Sequence, residues 1–193
     1  MYLENSFEKI KNFDPEMAQL VIDEEQRQLA LGLEGSVFAN KNAEGYPTNR
    51  FVAGCELANK VENIAIERIR ELFGCEHVNI QSMSATISNV AILRALLKPG
   101  DTILSMELNQ GGHLSHGAPF HYSGKMYNVV QYGLNKDTEE IDMDQVERLA
   151  KEHKPQMIIC GTSSYPRLVD YKRFGEIAKE HGAYMLADIA HPV

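Results

Sequence analysis

Residues 156–188, QMIICGTSSYPRLVDYKRFGEIAKEHGAYMLAD, decide the fold. QMIICG is a short apolar run, DYKRFGEIAKEHG reads as a helix, and AYMLAD is a second short apolar run that ends in an acid. A strand that crosses through a helix to another strand is the unit of a parallel sheet. The same alternation extends back toward the N-terminus. HVNIQSM (77–83), TILSMEL (102–108) and KMYNVVQYG (125–133) read as strands, and ATISNVAILRALLK (85–98) and DMDQVERLAKEHK (142–154) as helices. The expected fold class is therefore α/β, a mostly parallel sheet flanked by helices.

In front of this layer system the pattern is helical. Asp14 can cap a helix with Pro15 at its first position, and PEMAQLVIDEEQRQLALGL keeps a helical pattern until Gly32 and Gly35 break it. The stretch 35–54, GSVFANKNAEGYPTNRFVAG, is too often interrupted by Gly and Pro for one long element and reads as loop with a short turn. ELANKVENIAIERIRELFG then puts Leu57, Val61, Ile64, Ala65, the stem of Arg68 and Leu72 on one helical stripe, with an end expected near Gly74. The expected organisation is an N-terminal helical arm and loop over 1–54 and a partial α/β ligand domain over 55–193.

With 193 residues, 44% of them hydrophobic and 24% charged, the chain has the mix of a globular protein with a sizeable core. The formal charge of -8 disfavours nucleic acid or an acidic membrane surface as partner, since either needs a basic footprint to displace counterions. No apolar run approaches the ~20 residues of a membrane span, and MYLENSFEKIKNF lacks the apolar core of a secretory signal. A cytoplasmic location is expected. Cys55, Cys75 and Cys160 are odd in number and far apart, so they read as idle thiols in a reducing compartment.

Ligands of parallel sheets sit at the carboxyl ends of the strands, so the loops there carry the chemistry. Ser82-Met83-Ser84-Ala85-Thr86 opens a helix with hydroxyls and free N–H groups, which suits a phosphate or serves only as a cap. In Gln110-Gly111-Gly112-His113-Leu114-Ser115-His116-Gly117 the glycines allow close backbone approach, and the His113 ring can stack on a flat cofactor. Alternatively His113 and His116 are turn residues, or metal ligands together with His121. Asp188 at a strand end needs a cationic or donor partner, such as a protonated pyridine nitrogen, an Arg or a helix cap, and His191 follows it. Ser163 ends a further strand and can donate to a ring oxygen or phosphate, or simply turn the chain; no Gly-x-Ser-x-Gly elbow supports a nucleophile there.

Several stretches in order, Ala43-Glu44-Gly45-Tyr46-Pro47, Gly54-Cys55-Glu56, residues 111–117, Ser123-Gly124-Lys125 and Asp188-Ile189-Ala190-His191, resemble serine hydroxymethyltransferase, a fold type I family that uses pyridoxal phosphate. The likeness runs from about Asp14 to the last residue. It implies the incomplete large domain of such an enzyme, and an activity of serine and glycine one-carbon transfer with tetrahydrofolate. By this resemblance Ser84, Ala85 and Thr86 cradle the cofactor phosphate, His113 stacks on the ring and Asp188 pairs with its nitrogen. Ser163 and His191 hold the phenolic oxygen and its surroundings, and Leu108 and Gly112 lie near the folate. Glu44 matches the acid near the substrate hydroxyl, where a carboxyl can shuttle a proton, and in the family it reaches toward a neighbouring subunit, so a homo- or hetero-oligomer is implied.

The family's Schiff-base lysine follows the Asp-x-Ala-His segment, and none of the lysines in this sequence matches it. The chain is therefore expected to be inactive alone and to need a complementary C-terminal polypeptide that carries this lysine. Asn42, Phe51 and Val52 stand where the family has tyrosines, and Met83 where it has histidine. The missing tyrosine hydroxyls favour the alternative, a non-catalytic relative that binds and regulates or stabilises a partner subunit.

Overall fold

The computed structural model describes residues 37–191 throughout and, ahead of them, residues 11, 12, 14–16, 18, 19 and 22. The helix expected over 15–33 lies mostly outside the described residues. Where it is described, Pro15 is the first helical residue after Asp14, and Ala18 donates its N–H to the Asp14 carbonyl at 3.0 Å. The chain divides into two compact units, Met1–Ile80 and Gln81–Val193.

In the first unit, a 3-10 turn at Val37–Asn40 precedes two short antiparallel strands, β1 (Gly45–Tyr46) and β2 (Asn49–Arg50). The stretch read as loop thus holds a tight hairpin. Gly45 permits it, because at φ +98 a β-carbon there would overlap the Asn49 carbonyl. Arg50, with its side chain 7% exposed, ties the hairpin down. Its guanidinium donates to Asn59 Oδ1 at 2.8 Å, to the Gly45 carbonyl at 2.6 Å, to the Ala43 carbonyl and to the Glu62 carboxylate. Helix α1 (Glu56–Phe73) ends, as its sequence requires, at Gly74 in the left-handed region. None of its residues is buried, and Leu57, Val61, Ile64 and Leu72 of its apolar stripe are exposed.

The second unit contains helix α2 (Ala85–Leu96), strand β3 (Thr102–Met106), the short helix α3 (Tyr122–Met126), strand β4 (Asn128–Tyr132), helix α4 (Met143–His153), strand β5 (Met157–Gly161), helix α5 (Tyr171–Glu180) and strand β6 (Tyr184–Asp188). The four strands are parallel, in the order β4-β3-β5-β6. The α/β class read from the sequence is the class observed. One expected strand is absent. Residues 77–83 form no ladder with any strand among the described residues, and short alternation alone cannot make a strand without a neighbour to accept its backbone bonds. The strand expected over 125–133 begins at Asn128, because α3 takes up the residues before it.

Side chains alternate across the sheet and build one core on each face. Leu104, Met106, Ile158 and Cys160 point to the face covered by Val146, Leu149 and Ala150 of α4 and Phe174, Ile177 and Ala178 of α5. Ile103, Met157, Ile159 and Leu186 meet Leu93 of α2 and Tyr127 on the other face. Cys160 behaves as a core residue, since burial pushes its thiol up to about 12. From β3 the chain turns to β4 on one side, and from β5 to β6 on the other, so the order reverses between β3 and β5. That switch point opens a crevice at the strands' carboxyl ends. No helix among the described residues is long and apolar enough to cross a membrane.

Phe174 is fully buried, with its ring 5.5 Å from that of Tyr132. Phe174→Ala is expected to remove about 3–5 kcal/mol of stability, read as a lower urea midpoint by circular dichroism.

Candidate functional site

Three chain segments converge at the carboxyl end of the sheet. After β3, the chain passes through a 3-10 turn at Leu108–Gln110 and the glycine pair to His113, and a second 3-10 turn follows at Leu114–His116. Gly112 is buried against the strand it has just left. A β-carbon there would press on the Met106 and Glu107 carbonyls, and its N–H donates to the Glu107 carbonyl at 3.0 Å. The Gly111 carbonyl accepts from the N–H of Ser163 at 2.9 Å, which joins this loop to the one after β5. Asp188 ends β6 and lies in register with Gly161.

Asp188 is the centre of the polar network. Its Oδ2 accepts from Asn89 Nδ2 at 2.8 Å and from His116 Nε2 at 2.9 Å, while Oδ1 accepts from the Ala190 N–H at 3.1 Å. The His116 hydrogen bond, ahead of those from Asn89 and Ala190, holds this carboxyl well below the usual carboxylate range, and burial opposes it only in part. The carboxylate is thus ionised, and Oδ1 keeps lone-pair capacity for a further donor. His116 is buried, its Nε2 donating to Asp188 and its Nδ1 without a hydrogen-bond partner among the described residues.

His113 stands beside this cluster, its ring centroid 5.5 Å from that of His116. Its Nδ1 accepts from the Ser115 N–H at 3.2 Å and meets Ser115 Oγ at 2.8 Å. Burial, then the neighbouring His116, lowers its pKa; the charge of Asp188 acts in the other direction. A neutral imidazole with a fixed tautomer and a half-buried face results. His121 repeats the pattern, with Ser123 bonded to its Nδ1, and it also has its pKa lowered by burial.

Ser84 caps α2, its Oγ accepting from the Ile87 N–H at 3.2 Å. The N–H groups of Ala85 and Thr86 belong to the first turn, where no intrahelical acceptor exists, so they suit an anion. Asn89 lies on the same helix, about 7–8 Å beyond Ser84 by helical rise. Ser163 and His191 line one cavity of about 870 Å³ together with Thr162, Tyr165, Arg167 and Tyr171. Leu108 is exposed in the first 3-10 turn. Glu44 belongs to the first unit, where it is exposed and its N–H donates to Asn42 Oδ1 at 3.2 Å.

His113 and Asp188 therefore share one polar network through Ser115 and Asn89, Gly111 next to Gly112 bonds the Ser163 loop, and Ser163 shares a cavity with His191. Sequence reading passed over Asn89 and took His116 for a turn residue or a metal ligand. A signal was present for Asn89, an amide within the otherwise apolar stretch NVAILRALL of α2, because a buried amide must find partners. Chemically, the arrangement can pair a cation with Asp188, lay a flat ring against His113 and take an anion at the start of α2.

Fold and site together define an α/β domain whose polar centre lies at the switch point of a parallel sheet. The serine hydroxymethyltransferase family model matches residues 10–193, and the chain belongs to that family. It is 51% identical over 194 residues to a serine hydroxymethyltransferase of Myxococcus xanthus, a match that covers 92% of this chain and 46% of that protein. It is also 48% identical over 197 residues to one of Acinetobacter baumannii, covering 94% and 47% respectively. The chain thus spans about half the length of the curated relatives it matches.

The depressed pKa of Asp188 links stability to pH. Between the folded value and the unfolded value of about 3.9 the unfolded chain binds the extra proton, so stability falls as pH is lowered. The contribution is complete above the unfolded value and is lost as pH falls through the folded one. Asp188→Asn is expected to flatten this acid limb, so the stability gap between wild type and variant narrows on acidification in urea titrations at stepped pH.

Proposed function

We propose that this chain is the N-terminal, cofactor-holding part of a pyridoxal-phosphate-dependent serine hydroxymethyltransferase, exchanging a one-carbon unit between serine and tetrahydrofolate. The observation that carries the reading is the Asp188 carboxyl, held by His116 Nε2 and Asn89 Nδ2 beside the ring of His113. These groups fit the cofactor, because Oδ1 of Asp188 retains an acceptor site for a protonated ring nitrogen and the start of α2 offers donors for a phosphate. When bound, pyridoxal phosphate supplies the electron sink for bonds broken at the amino acid's α-carbon.

In this reading Asp188 keeps the ring nitrogen protonated, and His113 lies against the ring and excludes water from one side. Ser84, Ala85 and Thr86 hold the phosphate through the helix cap and first-turn N–H groups. Ser163 and His191 serve the phenolic side, and Leu108 and Gly112 serve the folate. Glu44 gives or takes the proton of the substrate hydroxyl. The anchoring lysine follows the Asp188–His191 segment in the family's order, so it comes from further polypeptide, continuous with this chain or separate.

Pyridoxamine 5'-phosphate tests the site without that lysine, since it forms no covalent bond to it. Fluorescence titration is expected to give saturable binding, weakened about 2- to 10-fold in His113→Ala by loss of stacking. Asp188→Ala is expected to weaken it about 10- to 100-fold by loss of a charged hydrogen bond. Equal binding by wild type and Asp188→Ala would overturn the reading.

A further inference from the structure

We infer that Asn89 is a positioning residue that locks the acid of the site to its imidazole, and this rests on the cofactor reading above. Asn89 is buried, and its single amide nitrogen donates both to Asp188 Oδ2 at 2.8 Å and to Ser115 Oγ at 2.9 Å. Ser115 Oγ in turn meets His113 Nδ1 at 2.8 Å. Nδ1 already accepts the Ser115 N–H, so the hydroxyl proton also points at it, and the hydroxyl lone pair is left for Asn89. The direction of every proton in the chain from Asp188 to His113 is thereby set.

Asp188 can only accept, so Asn89 must present nitrogen to it, not oxygen. Both N–H groups are then used, one on each partner. No other side chain of this size offers two donors from one atom without a charge. An aspartate would set a second carboxylate against Asp188. A leucine would keep the shape but leave Ser115 and Asp188 each short of a donor.

Position matters as much as chemistry. Asn89 stands on α2, the helix whose first turn carries Ser84, Ala85 and Thr86. One rigid element therefore fixes the distance between the anion-binding end and the acid. The titratable groups facing Asp188 are His116 and His113 from the loop after β3 and Tyr171 from α5, with His191 three residues further along its own segment.

The test uses the full chain with Asn89→Leu and Asn89→Asp. The Asp188 carboxyl is followed by 13C NMR on aspartate-labelled protein. In Asn89→Leu its titration is expected to move up by about one pH unit, a tenfold change in protonation, and further in Asn89→Asp. An unmoved titration in a folded Asn89→Leu variant overturns the inference. Pyridoxamine 5'-phosphate affinity supplies a second readout. Asn89→Leu is expected to weaken it about tenfold in wild type and to leave it unchanged in an Asp188→Asn background, whereas equal loss in both would make Asn89 an independent contact and overturn its positioning role. Should wild type fail to bind this probe, the cofactor reading falls while the carboxyl titration still decides the role of Asn89. If neither variant folds, wild type answers through hydrogen exchange at the Asn89 side chain: slow exchange of both Nδ2 protons supports the lock, and fast exchange of either one overturns it.

Discussion

The carboxylate of Asp188 is the constraint on which the rest of the site depends. A negative charge at the end of a half-covered strand is stable only if donors replace the water it loses, and three in-chain donors do so. Each donor comes from a different place in the chain: Asn89 from α2, His116 from the loop after β3, and Ala190 from the turn after β6. One ionised side chain thus binds a helix on one face of the sheet to the loop at the switch point. Tying down His116 also fixes His113, because both belong to one short glycine-bounded loop.

The backbone is shaped to the same end. Gly161 sits at φ +115 opposite Asp188, and a β-carbon there would overlap the Asp188 carbonyl. Any other residue would be strained by that φ and would push the end of β6 away. The loop after β5 therefore turns away at once and delivers Ser163 to the Gly111 carbonyl. The two loops that frame the crevice are stitched together by backbone, and their side chains remain available to a ligand.

What could be read from the sequence was what local pattern and strand-end position determine. QMIICG and AYMLAD became β5 and β6 because short apolar runs between turn formers, on either side of a helix, have few other uses; β5 is buried throughout, and β6 is buried at Leu186. Asp188 stood out because an acid at a strand end needs a donor, and His113 because paired glycines let the backbone approach a ligand; the structure sets the two side by side through Asn89 and Ser115. The segment 77–83 was misread because alternation signals a strand only where another strand accepts its bonds, and that is a property of the tertiary fold. The hairpin at Gly45–Arg50 escaped for a similar reason. Its stability comes from Arg50 reaching Asn59 and Glu62 on α1, a link that no local pattern records. The partner of Asn89 was hidden by sequence distance, since the acid it serves is 99 residues away.

The place of Asp188 at the end of β6 shows what its side-chain bonds add to the backbone ladder. Among the described residues it pairs with β5 alone, and its Tyr184 and Ala187 are exposed. Asp188 stands on the last rung of that ladder, where fraying begins. The bonds from Asn89 and His116 approach from off the ladder, anchored in elements that pack elsewhere in the unit. They restrain the acid independently of the ladder. The acid can therefore keep one position and one charge state at the rim of the sheet.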